Sequence, residues 1–365
     1  MSNDLSQDLS NDLRQQVENA IENKTPLCIT AGGSKAFYGN NVDGQALDVS
    51  KHQGITEYQP SELVVTVRSG TLLSELEAEL KANKQILAFE PPQHTANTTI
   101  GGAIACGLSG PRRMACGSAR DFVLGCTIIN GKAEQLRFGG QVMKNVAGYD
   151  ASRLMVGAQG TLGLLLDVSL KVLPMSETEV TLQLKTELST AIKHIQQWLK
   201  QGLPISASCY TNHTLNIRLS STHSAVSTSV STIKKLFDCD AIDNNFWLGI
   251  KNQNHDFFSE NNLNNNQQLW RCSHQTNTPF YGVDEDNNQL IEWHGALRWV
   301  KSSEDLYSAA DTHSGHACLY PINQGESFTD IFQPLAKPLM KIQQRMKLAF
   351  DPDNILNAGR LYTDA

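Results

Sequence analysis

The sequence predicts an α+β fold in two lobes, the second one smaller, with a C-terminal segment that rejoins the first. Three observations predict it. Helical and strand patterns alternate through the first half, but hairpins are mixed among them, which argues against a purely parallel doubly wound sheet. Glycine is dense as far as Pro174 and sparse beyond it. The closing stretch then turns apolar and helical again (PLMKIQQRMKLAF) and ends in DPDNILNAGRLY. The expected divisions are an N-terminal helix over 1–25, a first domain over 26–175, a smaller cap domain over 176–335, and a returning segment over 336–365.

In chain order, Leu5, Leu9, Leu13, Val17 and Ile21 recur at every fourth position, which predicts an amphipathic helix packed on the body of the protein. A partner-docking helix is the alternative. Leu27, Cys28 and Ile29 read as a short strand that runs into Ala31-Gly32-Gly33-Ser34-Lys35. LVVTVRSG reads as a β-branched strand, with Thr71 as the N-cap of a helix that aligns Leu72, Leu76 and Leu80 on one face. ILAFEPP reads as a strand stopped by Pro91 and Pro92. TTIGGAIACG reads as a strand passing through Gly101-Gly102 into a small-residue helix. FVLGCTIINGKAEQLRFGG reads as a hairpin with Asn130-Gly131 at its tip. GTLGLLLDVSLKVLP is a long strand closed by Pro174. In the second half one helix stands out, around Ala191 to Lys200, beside a Ser/Thr-rich run from Ser220 to Thr232. The Asn-rich stretch 243–267 reads as surface loops.

Composition excludes several classes. The 30 Lys and Arg are scattered and the net charge is −7, so there is no nucleic-acid footprint. No apolar run approaches the ~20 residues needed to span a bilayer. The opening is polar and acidic, unlike a secretory signal. The eight cysteines include no C-x-x-C pair. Even the evenly spaced Cys106, Cys116 and Cys126 match no cluster spacing. They read as small buried residues in a reducing compartment, so a chain handling electrons would carry no iron–sulfur relay of its own.

The glycines carry the functional signal. In TTIGGAIACGLSG, GSARDFVLG, MKNVAGYD and VGAQGTLG they recur where a backbone must pass close to something flat or charged. Bare peptide N–H groups can then reach phosphates and ring edges, as a pocket for a large dinucleotide requires. Gly32-Gly33-Ser34-Lys35 adds a hydroxyl and a cation that suit a pyrophosphate. An ordinary Gly-Gly turn is the plain alternative. No G-x-G-x-x-G fingerprint is present, which counts against a nicotinamide enzyme.

The runs FEPP, TIGGAIACGLSGPRR, GSARDFVLG, LRFGGQVMKNVAGYD and GTLG, with HGALRW and FDPDNILNAGRLY later, resemble one family. It is that of the FAD-binding subunits of bacterial glycolate oxidase (glycolate dehydrogenase). The wider group is the vanillyl-alcohol-oxidase, or PCMH-type, FAD-binding superfamily. The resemblance is dense from Gly32 to Pro174 and resumes at His294–Trp299 and Phe350–Tyr362. It implies a two-subdomain PCMH-type domain holding noncovalent FAD, a cap over the flavin, a second FAD-binding subunit and a separate iron–sulfur subunit. It places Gly32, Gly33, Ser34 and Lys35 on the pyrophosphate loop, and Pro91, Thr99, Gly101 and Gly102 on the segment passing the flavin. Ser109, Gly110, Gly117 and Asp121 fall near the ribityl chain and adenosine, Gly160 and Gly163 on the late strand, and Arg360 in the returning tail. It implies a cytoplasmic protein, peripheral to the inner membrane at most through its partners. The sequence departs from relatives in two places. GGSK lacks the His of covalent flavin members. THSGHACLY offers His313 and His316 without the acidic residues of the metal motif of related catalytic subunits, so no metal site is expected.

Oxidising a 2-hydroxy acid on a flavin needs a cation for the carboxylate, a base for the hydroxyl proton, and close approach of the carbon. Arg112, Arg113, Arg298 and Arg360 are candidates for the cation, because a guanidinium grips a carboxylate with two bonds. Ordinary ion pairing is an equal reading for each. His94 and His294 are candidates for the base, with packing roles as the alternative. No residue stands out as the base, which leaves room for a subunit that binds FAD without performing the substrate step. Three readings follow: a glycolate oxidase FAD subunit, a self-contained FAD dehydrogenase for an acid such as D-lactate, and an assembly subunit with a non-catalytic flavin.

Overall fold

The computed structural model describes residues 8–140, 150–263, 266–278, 288–321 and 329–363. Most of the MKNVAGYD run, and Leu5, lie outside these residues. The first lobe carries β1 (Leu27–Thr30), β2 (Gln45–Asp48), β3 (Ile55–Gln59), β4 (Val64–Arg68), β5 (Gln85–Ile86), β6 (Val123–Ile129), β7 (Gln135–Gly139), β8 (Leu164–Lys171) and β9 (Leu173–Pro174). The second carries β10 (Thr178–Lys185), β11 (Ile205–Thr211), β12 (Thr214–Ser221), β13 (Asp240–Ile242), β14 (Gln268–Ser273), β15 (Gln289–Glu292), β16 (Leu297–Ser302) and β17 (His316–Leu319).

β3, β4, β8, β6 and β7 form a five-stranded antiparallel sheet in that order. Val65, Val67, Val168 and Leu170 point to one face, where Leu73, Leu76 and Leu80 of the helix Leu73–Ala82 cover them. β1 and β2 pair in parallel, and Leu356 from the tail bridges to Leu27. The helix Ser10–Asn23 buries Leu13, Val17 and Ala20 against Leu27, Leu47 and Leu356, so it packs on the body.

The second sheet has eight strands in the order β13-β10-β12-β11-β15-β16-β14-β17, all pairs antiparallel. Its side chains alternate between two cores, as the two-residue repeat of a strand demands. Leu182, Ile217 and Leu219 meet the helices Leu188–Lys200 and His223–Lys234. Trp270, Trp293 and Trp299 join Tyr38 and Leu108 of the first lobe. A buried ion network ties the lobes. Glu90 accepts from Arg112 Nε at 3.2 Å and Arg218 Nη2 at 2.8 Å, while Arg112 Nη2 also donates to Glu179.

Several local expectations need correction. Thr71 is not a cap: its hydroxyl accepts from Gly54 N, and Leu72 occupies the N-cap position. No strand precedes Gly101-Gly102; both lie inside the helix Ile100–Cys106, capped by Thr99 Oγ1 accepting from Gly102 N at 3.2 Å. ILAFEPP is strand only at its first residue, as part of β5. The hairpin forms, but through a longer turn over 130–134. Asn130 Oδ1 accepts from Lys132 N and Glu134 N, and the left-handed position is Ala133 (φ 58°) rather than Gly131. The Ser/Thr-rich run becomes the helix His223–Lys234. The Asn-rich stretch also holds the helix Phe246–Lys251 and buries Trp247, Phe257 and Phe258, whose rings outweighed their polar neighbours.

Candidate functional site

A cleft opens between the β1–β2 pair and the five-stranded sheet, with about 1010 Å³ of space free of protein atoms, its open mouth included. It is where the glycine-rich runs converge. Gly32, Gly33, Ser34, Lys35, Thr99, Gly101, Gly102, Gly160 and Gly163 line it, together with Arg360 from the tail. No residue of the eight-stranded sheet contributes to this lining.

The glycines do two different jobs. A Cβ on Gly32 would fall 1.5 Å from Asn97 O, and one on Gly101 would fall 2.5 Å from Ser69 Cβ. These two let backbone pack on backbone. A Cβ on Gly33 (φ 67°) would meet nothing within 4 Å, and one on Gly102 would meet only its own cap, Thr99 Oγ1, at 3.2 Å. These two leave open space beside the backbone.

Two polar side chains of the cavity lack hydrogen-bond partners. Lys35 is 6% exposed, and its Nζ has no hydrogen-bond partner. Burial pushes its ammonium down to about 8. Ser69 Oγ lines the same space, buried and equally unpartnered. A buried amine without a counter-ion is costly, and phosphate oxygens are acceptors of the right charge. The donor set therefore fits a dinucleotide with its phosphates near Lys35.

The other predicted residues lie outside the lining. Pro91 is buried, three residues ahead of His94. Ser109 Oγ accepts from Ala119 N, and Gly110 N donates to Phe89 O. Gly117 lies at the end of the short helix Arg113–Cys116. Asp121 completes a capping box with Ser118, whose backbone and hydroxyl hydrogen bonds hold its carboxyl below the usual range. These contacts are local fold contacts.

The six candidate catalytic residues are not brought together. His94 Nε2 lies 3.3 Å from Tyr320 Oη, its ring edge-on to Phe37. Burial, then the Lys35 charge, push it down to about 4, so it is neutral near pH 7. His294 sits in the second lobe with Nδ1 2.9 Å from Ser208 Oγ, and burial lowers it to about 4. Arg298 Nη2 donates to Thr278 O at 2.7 Å. Arg113 stacks on Trp293, 4.6 Å from the ring centroid, with Arg271 also over that ring at 5.1 Å. Arg112 is held by Glu90 and Glu179. Arg360 reaches the cavity, but its donors face Gln159 Oε1 and the carbonyls of 35, 36, 38, 39 and 40.

Sequence reasoning missed Ser69, Gln159 and Asn357 in the lining. Gln159 and Asn357 each stand in a glycine-bearing run, VGAQG and NILNAGR, and a polar side chain there was the available signal.

The two-lobed fold and its glycine-lined cavity define an FAD-dependent oxidoreductase of the PCMH type. A family model described as an FAD binding domain matches residues 10–139. The solved structure of p-cresol methylhydroxylase with substrate bound superposes with a TM-score of 0.71, covering 98% of this chain and 88% of that one at 14% identity, a likeness of fold. The chain is 43% identical over 345 residues to the glycolate oxidase subunit GlcE of Escherichia coli K12, covering 94% of each. It is 31% identical over 186 residues to a D-lactate dehydrogenase of Anaerostipes hadrus, half of this chain and 39% of that one. The chain belongs to the family of glycolate oxidase subunit GlcE, and its cofactor is FAD. Among the described residues no helix is long and apolar enough to cross a membrane.

Proposed function

We propose that this chain is the FAD-binding subunit of a cytoplasmic complex that oxidises glycolate to glyoxylate. It works with a second FAD-binding subunit and an iron–sulfur subunit, and meets the inner membrane at most through those partners. The observation that carries the reading is the unpartnered Lys35 in a glycine-lined cavity, in a chain so similar to a glycolate oxidase subunit along nearly its whole length. Bound FAD would supply a carrier for the electrons taken from the 2-hydroxy acid. Lys35 and Ser69 would hold its polar part, and Gly33 and Gly102 would leave room for it. Attachment is noncovalent.

One observation favours a division of labour in which the substrate step takes place on the partner's flavin. Among the described residues that line the cavity, the one guanidinium, Arg360, is fully engaged by the protein, and none is a histidine. The purified chain should be yellow, and its flavin should stay oxidised when glycolate is added anaerobically. It should bleach once the two partners are present. Bleaching of the isolated chain by glycolate or D-lactate would favour a self-contained dehydrogenase. A folded, colourless chain that takes up no FAD would end the proposal.

A further inference from the structure

The C-terminal segment is the most heavily tied part of the cavity wall, and its ties run to both sides. It is anchored first at Lys347, whose Nζ donates to Asp351 Oδ2 at 2.6 Å, Thr161 O at 2.9 Å and Leu356 O at 2.7 Å. Asp351 accepts in turn from Ile355 N and Leu356 N. It rests on the hairpin tip, where a Cβ on Gly131 would fall 2.2 Å from its Oδ1. All of these groups are buried, so the segment leaves the helix Lys337–Phe350 along one fixed path.

Asn357 then joins the two walls. Its Oδ1 accepts from Ile29 N at 2.7 Å, and its Nδ2 donates to Gln159 O at 2.6 Å. Ile29 belongs to β1, and Gln159 lies in the turn leading to β8. Three residues on, Arg360 draws in the loop that follows Gly33-Ser34-Lys35. Nη1 donates to Asn40 O at 2.7 Å, Nη2 to Ala36 O at 2.8 Å and Tyr38 O at 3.2 Å, and Nε to Gln159 Oε1 at 3.0 Å. Asn40 closes the circuit, its N donating to Arg360 O and its Nδ2 to Gly359 O. A planar fork with five donors suits several carbonyls converging on one point; a lysine has three.

We propose that Arg360, with Asn357, is a positioning residue for FAD. It does not grip a substrate carboxylate. It holds loop 35–40 in the shape that sets Lys35 into the cavity. The inference rests on the reading that this cavity takes FAD. A pre-shaped wall spares the cofactor the cost of ordering the loop, so removing the fork should appear in cofactor affinity.

The test uses the full purified chain stripped of flavin, with FAD affinity read by flavin fluorescence and apo stability by thermal melting. Arg360→Ala should weaken FAD binding by at least ~10-fold, as loss of supporting contacts does at other preorganised sites. Arg360→Lys should fall between the two, and it serves as the readable variant if Arg360→Ala does not fold. Added ethylguanidinium should restore affinity to Arg360→Ala and leave the unsubstituted chain unchanged. Unchanged FAD affinity in the variants overturns the proposal. So does a loss of affinity that ethylguanidinium cannot rescue and that tracks a lowered apo melting point, since that marks general damage to the fold. A folded, unsubstituted chain that binds no FAD defeats the cofactor reading instead.

Discussion

The cavity of the first lobe and the junction between the lobes are both buried and both contain charge, yet they are built in opposite ways. At the junction, Glu90, Arg112, Glu179 and Arg218 share hydrogen bonds. Rings of the hydrophobic cluster between the lobes interlock, Tyr38 with Phe332 at 5.2 Å and Tyr320 with Trp299 at 4.8 Å, both edge-on. In the cavity, Lys35 and Ser69 are left unmet, and the backbone is stripped of side chains. A satisfied network needs nothing further and serves to dock two lobes. An unsatisfied one is a standing cost that only a ligand removes. On the proposed reading, the cofactor's polar part lies within the first lobe and the junction serves cohesion.

Substitutions at the two kinds of glycine should break this comparison most sharply. Gly32→Val drives a side chain into Asn97 O, so the backbone itself must move. The expected loss is ~3 kcal/mol or more, read as an unfolding midpoint in urea. Gly102→Leu should change that midpoint far less, because its Cβ meets only Thr99 Oγ1, at 3.2 Å, and glycine is a poor helix former. It should nonetheless abolish FAD uptake. If both variants unfold alike, Gly102 does not border open space. Next in size, Arg112→Met strands Glu90 and Glu179, with side chains 15% and 30% exposed, beside a single remaining guanidinium. A loss of about 3 kcal/mol is expected, with FAD affinity intact. Loss of FAD binding at unchanged stability would move the site to the junction.

The sequence made the cavity more legible than the chemistry around it. Gly33, Lys35 and Gly102 stood out as glycines and a cation in glycine-bearing runs, and all three lie in the cavity lining. Gly32 and Gly101 were legible as bare backbone, but not as contacts to Asn97 and Ser69, which only the fold brings near. His94 and Arg360 show the other limit. Their residue types suit catalysis, but what each one faces depends on Tyr320 and on loop 35–40, far away along the chain. The second lobe was hardest to read. Its helices His223–Lys234 and Phe246–Lys251 are set by burial of Val226, Ile233 and Trp247 against propensities that favour turns and loops, so composition pointed the wrong way.

The smallest expected effect concerns Lys35 alone and sharpens the cavity side of the contrast. Its pKa lies near 8 in the folded chain without cofactor and near 10.5 when unfolded. Between those values the unfolded chain holds more protons, so stability rises with pH across that window and is least below it, where the buried amine is charged in both states. Water entering the cavity relieves part of this cost, which brings the amplitude to about 1–2 kcal/mol. FAD should flatten the rise, because its phosphates supply the missing counter-charge and favour the ammonium. Lys35→Met should abolish the rise, stabilise the FAD-free chain at neutral pH and weaken FAD binding. Urea midpoints measured from pH 7.5 to 10, with and without FAD, check all of this. A rise that persists in Lys35→Met would show that the slope belongs to another group, and a rise that FAD leaves untouched would mean that the phosphates do not sit at Lys35.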